Sequence, residues 1–157
     1  MAGGGSFVHI VDYAAPDLIA LGLEATDKEH LLQQMVDLLV QSGRVIEAQV
    51  IMRELLKREH VMSTGIGGGI ALPHALSNDI QELALVFART GRPVEFAALD
   101  GQPVDLVFMA VGPKSASNIY VKLLARVSRL LQSEDFKQGL RAAATTEDVL
   151  ATFRSEE

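Results

Sequence analysis

Residues 63–75 read STGIGGGIALPHA, with four glycines in five positions and then a short apolar run that ends at a proline and a histidine. Glycine-rich segments often hold phosphates, but the two common nucleotide-binding patterns do not fit. The dinucleotide fingerprint needs a third glycine where Ile70 stands, and Pro73 prevents a helix from continuing through the segment. A P-loop needs a lysine that the segment lacks. The glycines therefore either contact a phosphate through their amides or shape the backbone around His74.

Two other kinds of site find little support in the residue pattern. The four histidines are His9, His30, His60 and His74. No two of them form the His-x-x-x-His pair that puts two metal ligands on one helix face. His60 and His74 could converge in space with Glu59 or Asp79, although the spacing does not predict it. No Gly-x-Ser-x-Gly elbow is present, so the pattern does not indicate a serine nucleophile.

The chain before this segment predicts one strand and two helices. Residues 18–23 (LIALGL) are a candidate strand, and residues 26–29 (TDKE) form a capping box that opens a helix. Apolar residues recur in that helix at 3.6-residue spacing until Gly43 ends it, namely Leu31, Leu32, Met35, Leu38 and Leu39. A second helix is predicted over residues 46–58, with an inward face of Val50, Ile51, Leu55 and Leu56.

The chain after the segment predicts two strands and three helices. Residues 83–88 (LALVFA) and 104–111 (VDLVFMAV) are strands apolar on both faces, which is typical of a sheet covered on both sides. The first helix, residues 117–131, has a predicted apolar stripe of Val121, Leu124, Val127, Leu130 and Leu131. Ser133 caps the second helix and Thr145 starts the last. The fold class is therefore α/β, a single domain with a mixed β-sheet flanked by helices on both faces.

The bulk properties exclude several classes of protein. A chain of 157 residues suggests one domain, and we assign residues 1–5 to a flexible tail and residues 6–157 to the domain. The net charge of −6, with dispersed basic residues, argues against a nucleic-acid partner. No apolar run is long enough for a membrane span, so we expect no direct membrane insertion. The absence of cysteine and of a secretory signal favours a cytoplasmic location.

Residues 59–75, EHVMSTGIGGGIALPHA, resemble the phosphorylation-site signature of the fructose/mannitol-type enzyme IIA domains of the bacterial sugar phosphotransferase system. This family includes the nitrogen-regulatory enzyme IIA proteins. An acidic or amide residue at Glu59 is followed by Ile66-Gly67, two free positions and the closing IALPHA. Further resemblance lies in TDKEHLLQQMVDLL and ALDGQPVDLVFMAVGP, so that it extends from about residue 18 to residue 153.

The resemblance implies that His74 accepts a phosphoryl group from the histidine phosphocarrier HPr or its nitrogen-branch counterpart. The group would then pass to an enzyme IIB, or its presence would control binding to a regulated target protein. The family's arginine maps onto Arg58, and its Ser-Thr pair onto Ser63 and Thr64. Arg58, backbone N–H groups and the Thr64 hydroxyl would hold the phosphoryl oxygens. No metal or organic cofactor is required.

The chain departs from the family pattern at one position. Many members carry a second histidine at the start of the long helix after a Gly-Pro turn, and here Tyr120 takes that place. A phenol donates a hydrogen bond but supplies no cation near neutral pH. Two functions therefore remain open, a phosphoryl-accepting enzyme IIA and a phosphorylation-independent binding module with the same fold. The chain carries no IIB or IIC domain, which favours the regulatory branch over sugar uptake.

Overall fold

A computed structural model describes residues 8–156 and contains one mixed sheet of six strands. The strands are β1 (Ile19–Leu23), β2 (Gly65–Gly67), β3 (Ile70–Ala71), β4 (His74–Leu76), β5 (Ala84–Val94) and β6 (Val104–Gly112). Their order is β1-β5-β6-β3-β2, with β4 also paired to β6. β5 and β6 run antiparallel at the centre, whereas β1 is parallel to β5, and β3 and β4 are parallel to β6.

Both faces of this sheet are covered, as the apolar strands predict. The helices are α1 (Lys28–Gln41), α2 (Ala48–Val61), α3 (Ser117–Leu130), α4 (Glu134–Ala142) and α5 (Thr146–Ser155). Alternate residues of a strand point to opposite faces, so Val86 and Met109 pack with α1 and α2 while Phe87 and Phe108 pack with the other three helices. The rings of Phe87 and Phe108 lie 4.9 Å apart across the β5–β6 pair. The predicted α/β class, with a mixed sheet and helices on both faces, is confirmed.

The helix starts agree with prediction at the C-terminal end and differ at the N-terminal end. Ser133 caps α4, and Thr145 forms a capping box with Asp148 at the start of α5. The predicted capping box at Thr26 is wrong, because the Asp27 side chain accepts the bond from the backbone N–H of His30. Asp27 is one residue nearer the helix than Thr26, so its carboxylate reaches the unpaired N–H groups of the first turn.

The second helix begins and ends later than predicted. It runs from Ala48 to Val61, and Ile46 lies outside it and is exposed. The buried face comprises Ile51, Met52, Leu55 and Glu59, whereas Val50 is only partly buried. The extra turn matters because it keeps Arg58 and Glu59 inside a rigid helix.

The predicted apolar stripe of α3 is wrong at its N-terminal end. Val121 is 62% exposed, whereas Tyr120 and Leu123 are buried with Val127 and Leu130. The two residues lie 100° apart on the helix, and the face toward the core passes through Tyr120 and Leu123 and leaves Val121 outside. The correction places the Tyr120 side chain inward, toward the sheet.

The glycine-rich segment forms three short strands that were not predicted. Its backbone extends the sheet through β2, β3 and β4, although glycine weakens strand propensity and hides the signal. Between β2 and β3 the backbone φ angles of Gly67, Gly68 and Gly69 are +102°, +67° and +81°. Three consecutive residues in this region require glycine, since a Cβ atom would be strained at each.

Two predictions concern the ends of the chain and its relation to membranes. The predicted flexible tail, residues 1–5, lies outside the residues that the structure describes. Within residues 8–156, no helix has both the length and the apolar character needed to cross a bilayer.

Candidate functional site

His74 lies at an edge of the sheet, where two short strands follow one another along β6. Ile70 and Ala71 of β3 pair with Leu106 and Val107, and His74 opens β4 opposite Ala110. Pro73 joins the two strands, and its carbonyl oxygen accepts a hydrogen bond from the Ala110 N–H at 3.0 Å. The His74 backbone is therefore fixed to the central strand, while its half-buried side chain projects from the edge.

The two ring nitrogens of His74 have different partners. Nδ1 is 2.7 Å from the carbonyl oxygen of Leu72. A carbonyl can only accept, so Nδ1 carries the hydrogen and Nε2 keeps its lone pair. The Arg58 Nε–H donates to that lone pair at 3.3 Å. This is the neutral Nδ1–H tautomer, with Nε2 as the nucleophilic atom.

The electrostatic surroundings keep this ring neutral. Burial lowers the pKa of His74 from its ordinary value, and the nearby Arg58 guanidinium lowers it further. The Leu72 carbonyl and the Glu59 carboxylate act in the opposite direction, because both stabilise a positive ring. The net effect is a lowered pKa, so the imidazole is neutral and able to act as a nucleophile at neutral pH.

Arg58 combines a structural contact with a contact in the site. It lies in the last turn of α2, and its Nη1 donates to the carbonyl oxygen of Met62 at 2.9 Å. A guanidinium at this end of a helix also interacts favourably with the helix dipole. Nε–H contacts His74 and Nη1–H contacts Met62, so two bonds within the protein fix the orientation of the guanidinium.

Ser63 and Thr64 lie beside His74 in the chain fold, but their hydroxyl groups point to structural partners. The Ser63 hydroxyl donates to the Phe96 carbonyl oxygen at 2.9 Å and accepts from the Gly65 N–H at 3.0 Å. The Thr64 side chain is buried, and its hydroxyl donates to Glu59 Oε2. In this conformation both hydroxyl protons hold the turn that leads into β2.

Glu59 is a residue of this site whose bonds were not predicted from the sequence, where it was a signature position and a possible partner of His60 and His74. It is 8% exposed, and its Oε1 accepts from the Thr64 N–H at 3.1 Å and from Lys28 Nζ at 2.9 Å. The helical period offered a signal, since Ile51, Leu55 and Glu59 lie four residues apart on one face of α2. A carboxylate in that series indicates a buried charge with a partner.

Tyr120 lies next to His74, as the family register predicts. The two ring centroids are 6.1 Å apart with an interplanar angle of 55°. Burial raises the pKa of Tyr120 to about 12, against the opposing effect of Arg58. The side chain is therefore a neutral phenol throughout the physiological range.

The tip of the β2–β3 hairpin is held by contacts to its backbone. The Gly68 N–H donates to Asp100 Oδ2 at 3.0 Å, and the Gly68 carbonyl oxygen accepts from Arg141 Nη2 at 2.9 Å. Arg141 also makes two bonds to Asp105, each of 2.9 Å. The Gly68 amide is therefore bonded within the protein, which supports a role of the glycines in shaping the backbone.

Neither His30 nor His60 joins this site. His60 is exposed, and His30 is exposed on α1, where its ring contacts Thr26 and Gln34. Asp79 accepts from the Glu47 N–H near the start of α2. Across residues 8–156 no three His, Asp or Glu side chains form a group that could hold a metal ion.

Several exposed apolar side chains lie near site residues in the sequence or on segments bonded to the site. Val61 and Met62 follow Arg58 in the sequence, and Val121 follows Tyr120. Ile66 lies on the β2–β3 hairpin, and Leu99 lies on the loop bonded to it. The Leu99 N–H donates to the Gly65 carbonyl oxygen at 2.9 Å, which fixes that loop beside β2. Exposed apolar groups clustered at a site are typical of a surface that binds another protein.

Comparison with known proteins agrees with this geometry. Residues 13–156 match the family described as "Phosphoenolpyruvate-dependent sugar phosphotransferase system, EIIA 2". A nitrogen regulatory protein of Bradyrhizobium diazoefficiens is 35% identical over 148 residues, which cover 92% of this chain and 94% of that protein. The fructose-specific EIIABC component of Bacillus subtilis is 34% identical over 91% of this chain, which spans only 22% of that longer protein.

Two solved structures share the fold. The nitrogen regulatory protein IIA-Ntr from Neisseria meningitidis superposes with a TM-score of 0.86 at 27% identity, over 92% of this chain and 98% of that one. Enzyme IIA mannitol from Escherichia coli, solved in complex with phosphorylated enzyme IIB mannitol, superposes with a TM-score of 0.76 at 22% identity. The match covers 90% of this chain and 96% of that one.

Proposed function

Since the chain belongs to the EIIA 2 family of the phosphoenolpyruvate-dependent sugar phosphotransferase system, we propose that it accepts a phosphoryl group on Nε2 of His74. One observation carries the proposal. The Leu72 carbonyl holds the hydrogen on Nδ1, so Nε2 presents a lone pair beside the Arg58 guanidinium. A nucleophile next to a preorganised cation is what phosphoryl transfer requires of a protein.

The transfer exchanges one N–P bond for another. The Nε2 lone pair attacks phosphorus, the donor's N–P bond breaks, and its electron pair returns to the donor's ring nitrogen, which takes up a proton from solvent. The His74 ring gains positive charge as the new bond forms. The Leu72 carbonyl and the Glu59 carboxylate stabilise that charge, because both favour the positive ring.

Arg58 and Tyr120 would supply the donors for the phosphoryl oxygens. Arg58 Nε–H loses its acceptor when Nε2 bonds phosphorus, and the nearest negative charge is then the phosphoryl group itself. The neutral Tyr120 phenol, whose ring centroid lies 6.1 Å from that of His74, would add a second donor. The contacts of Ser63 and Thr64 support a positioning role for both, since they orient the turn between Arg58 and β2.

The donor and acceptor of the group are proteins. HPr or its nitrogen-branch counterpart would deliver the phosphate in the cytoplasm, and an enzyme IIB or a regulated target protein would receive it or sense it. The exposed apolar residues around His74 suit such docking. The nitrogen-regulatory branch is favoured, since the Neisseria structure has the higher TM-score of the two compared.

Labelling tests this proposal directly. The protein is incubated with phosphoenolpyruvate, enzyme I and HPr, and the bound phosphate is tested for acid lability. We expect a labelled wild type, an unlabelled His74→Ala variant and a fully labelled His60→Ala variant, since His60 is an exposed histidine outside the site. Absence of label with both HPr and a nitrogen-branch carrier would reject the proposal.

A phosphorylation-independent binding module is the second candidate. Tyr120 motivates it, because a neutral phenol stands beside His74 where many family members carry a second histidine. The exposed apolar residues would serve this function equally well. A wild type that takes no label, but still binds a partner protein through Val61 and Met62, would favour this alternative.

A further inference from the structure

A partly buried ion pair, with the Lys28 side chain 24% exposed, lies next to the turn that carries the site. The Glu59 side chain is 4% exposed, and Lys28, the first residue of α1, places Nζ 2.9 Å from its Oε1. The pair joins α1 to α2, and its two residues are 31 positions apart in the sequence. Lysine is strongly hydrated and usually remains at the surface, so a lysine that reaches a buried carboxylate needs an explanation.

The bonds of Glu59 tie this pair to the reacting residue. One carboxylate oxygen accepts from Lys28 and the Thr64 N–H, and the other accepts from the Thr64 hydroxyl. Arg58, which contacts His74, is the neighbour of Glu59 in α2. The carboxylate therefore fixes the helix end that presents Arg58 relative to the strand start at Thr64.

Lys28 makes a second contact on the other side of the same turn. Its Nζ lies 4.5 Å from the ring centroid of Phe96, a favourable cation–π distance. The Phe96 carbonyl oxygen accepts from the Ser63 hydroxyl, and a Cβ atom on Gly65 would come within 2.8 Å of Ala98. Lys28 thus contacts both Glu59 of α2 and Phe96 of the loop after β5. These are the two residues to which the hydroxyl groups of Thr64 and Ser63 donate.

We propose that Lys28 is a positioning residue for phosphoryl transfer at His74, acting through Glu59 on Arg58 and Thr64. The inference rests on the proposed function. Without the ammonium, the Glu59 charge would be buried with only the two Thr64 donors, close to where a phosphoryl dianion must bind. An uncompensated buried charge is costly, so the carboxylate would shift and displace both the turn and the guanidinium.

Single-turnover phosphorylation by phospho-HPr tests this role. The variants are Lys28→Met, Lys28→Arg, Glu59→Gln and the double variant Lys28→Met/Glu59→Gln. The matched control is Lys57→Met, which removes an exposed ion pair with Glu54 at 3.8 Å on α2. Circular dichroism at the assay temperature establishes that each variant is folded.

We expect Lys28→Met to lower the rate at saturating donor about tenfold, because small misplacements of catalytic groups have effects of this size or larger. The donor concentration at half-saturation should change less than about twofold, since the affected step follows docking. Lys28→Arg should retain most of the rate because it retains the charge. Adding Lys28→Met to Glu59→Gln should lower the rate by less than about twofold, as expected for two residues that act as one unit.

Three results would overturn the role of Lys28. They are a folded Lys28→Met variant as fast as Lys57→Met, a loss confined to donor affinity, and a Lys28→Arg variant as slow as Lys28→Met. A wild type that takes no phosphate would instead reject the proposed function together with this inference. The labelled wild type therefore separates the two failures.

Discussion

The two ends of the β2–β3 hairpin are built on different principles. At its base, the side chains of Ser63, Thr64 and His74 are bonded, and the bonds lead into α2 and the loop after β5. At its tip, Gly67–Gly69 have no side chains, and Asp100 and Arg141 hold the backbone itself. The base therefore determines the chemistry of His74, whereas the tip determines whether the hairpin can form.

This difference predicts that variants at the base reduce the rate of phosphorylation and that variants at the tip reduce the stability of the fold. Each of the following changes tests one side of that division, beginning with the largest expected effect.

Replacing Arg58 by Gln should lower the single-turnover phosphorylation rate about a hundredfold, the usual cost of removing one preorganised donor from a developing charge. The half-buried side chain contributes little to the core, so the urea midpoint should change only slightly. Arg53→Gln, an exposed arginine on the same helix, is the control. A stable Arg58→Gln variant with the wild-type rate would remove Arg58 from the chemistry.

Replacing Gly69 by Ala should lower the free energy of unfolding by about 2 kcal/mol, because its φ of +81° is unfavourable for any residue with a Cβ atom. The new atom would also come within 2.6 Å of Asp105 Oδ1 and 2.8 Å of Arg141 Nη2, which would break their pairing. Urea denaturation measures the loss. Phosphorylation of the folded fraction should be nearly normal, and a rate loss without a stability loss would contradict the division.

Replacing Gly68 by Ala should cost about 1 kcal/mol, from backbone conformation alone. Its φ is +67°, but an added Cβ atom would meet no heavy atom within 4 Å. The difference between the Gly69 and Gly68 variants isolates the Asp105–Arg141 contact. Equal losses would show that this contact contributes nothing to the tip.

The smallest expected effect is a change in the pKa of His74 in the Glu59→Gln variant. The Glu59 carboxylate raises the pKa of His74, so removing its charge should lower that pKa further below its ordinary value. The fall in the phosphorylation rate at acid pH should then begin at a lower pH than in the wild type, because the neutral ring is the nucleophile. A pH titration of the His74 ring by NMR measures the shift, and an upward shift would be inconsistent with this electrostatic environment.

The sequence predicted much of this arrangement. Apolar runs on both faces of residues 83–88 and 104–111 predicted a sheet covered on two sides, and the structure confirms it. The register of the family predicted that Tyr120 lies near His74, even though the N-terminal end of the apolar stripe in the same helix was predicted at Val121. The error in α3 arises because periodicity alone does not determine which residue lies at the centre of a helical face.

Other parts of the site depend on tertiary contacts that local sequence does not encode. Lys28 and Glu59 meet across two helices, and Phe96 reaches Ser63 from a loop that follows β5. β3 and β4 form because β6 offers backbone partners, and β2 forms on β3, against the low strand propensity of glycine. The hydrogen on Nδ1 of His74 likewise depends on where the Leu72 carbonyl points.

The central claim is that His74 uses Nε2 as its nucleophile because Leu72 holds the hydrogen on Nδ1. Nitrogen-15 NMR of the imidazole, before and after phosphorylation by phospho-HPr, tests it most directly. We expect the neutral Nδ1–H tautomer in the free protein and phosphorus bonded to Nε2 in the phosphorylated protein. Phosphorus on Nδ1, or a free protein with the hydrogen on Nε2, would contradict it.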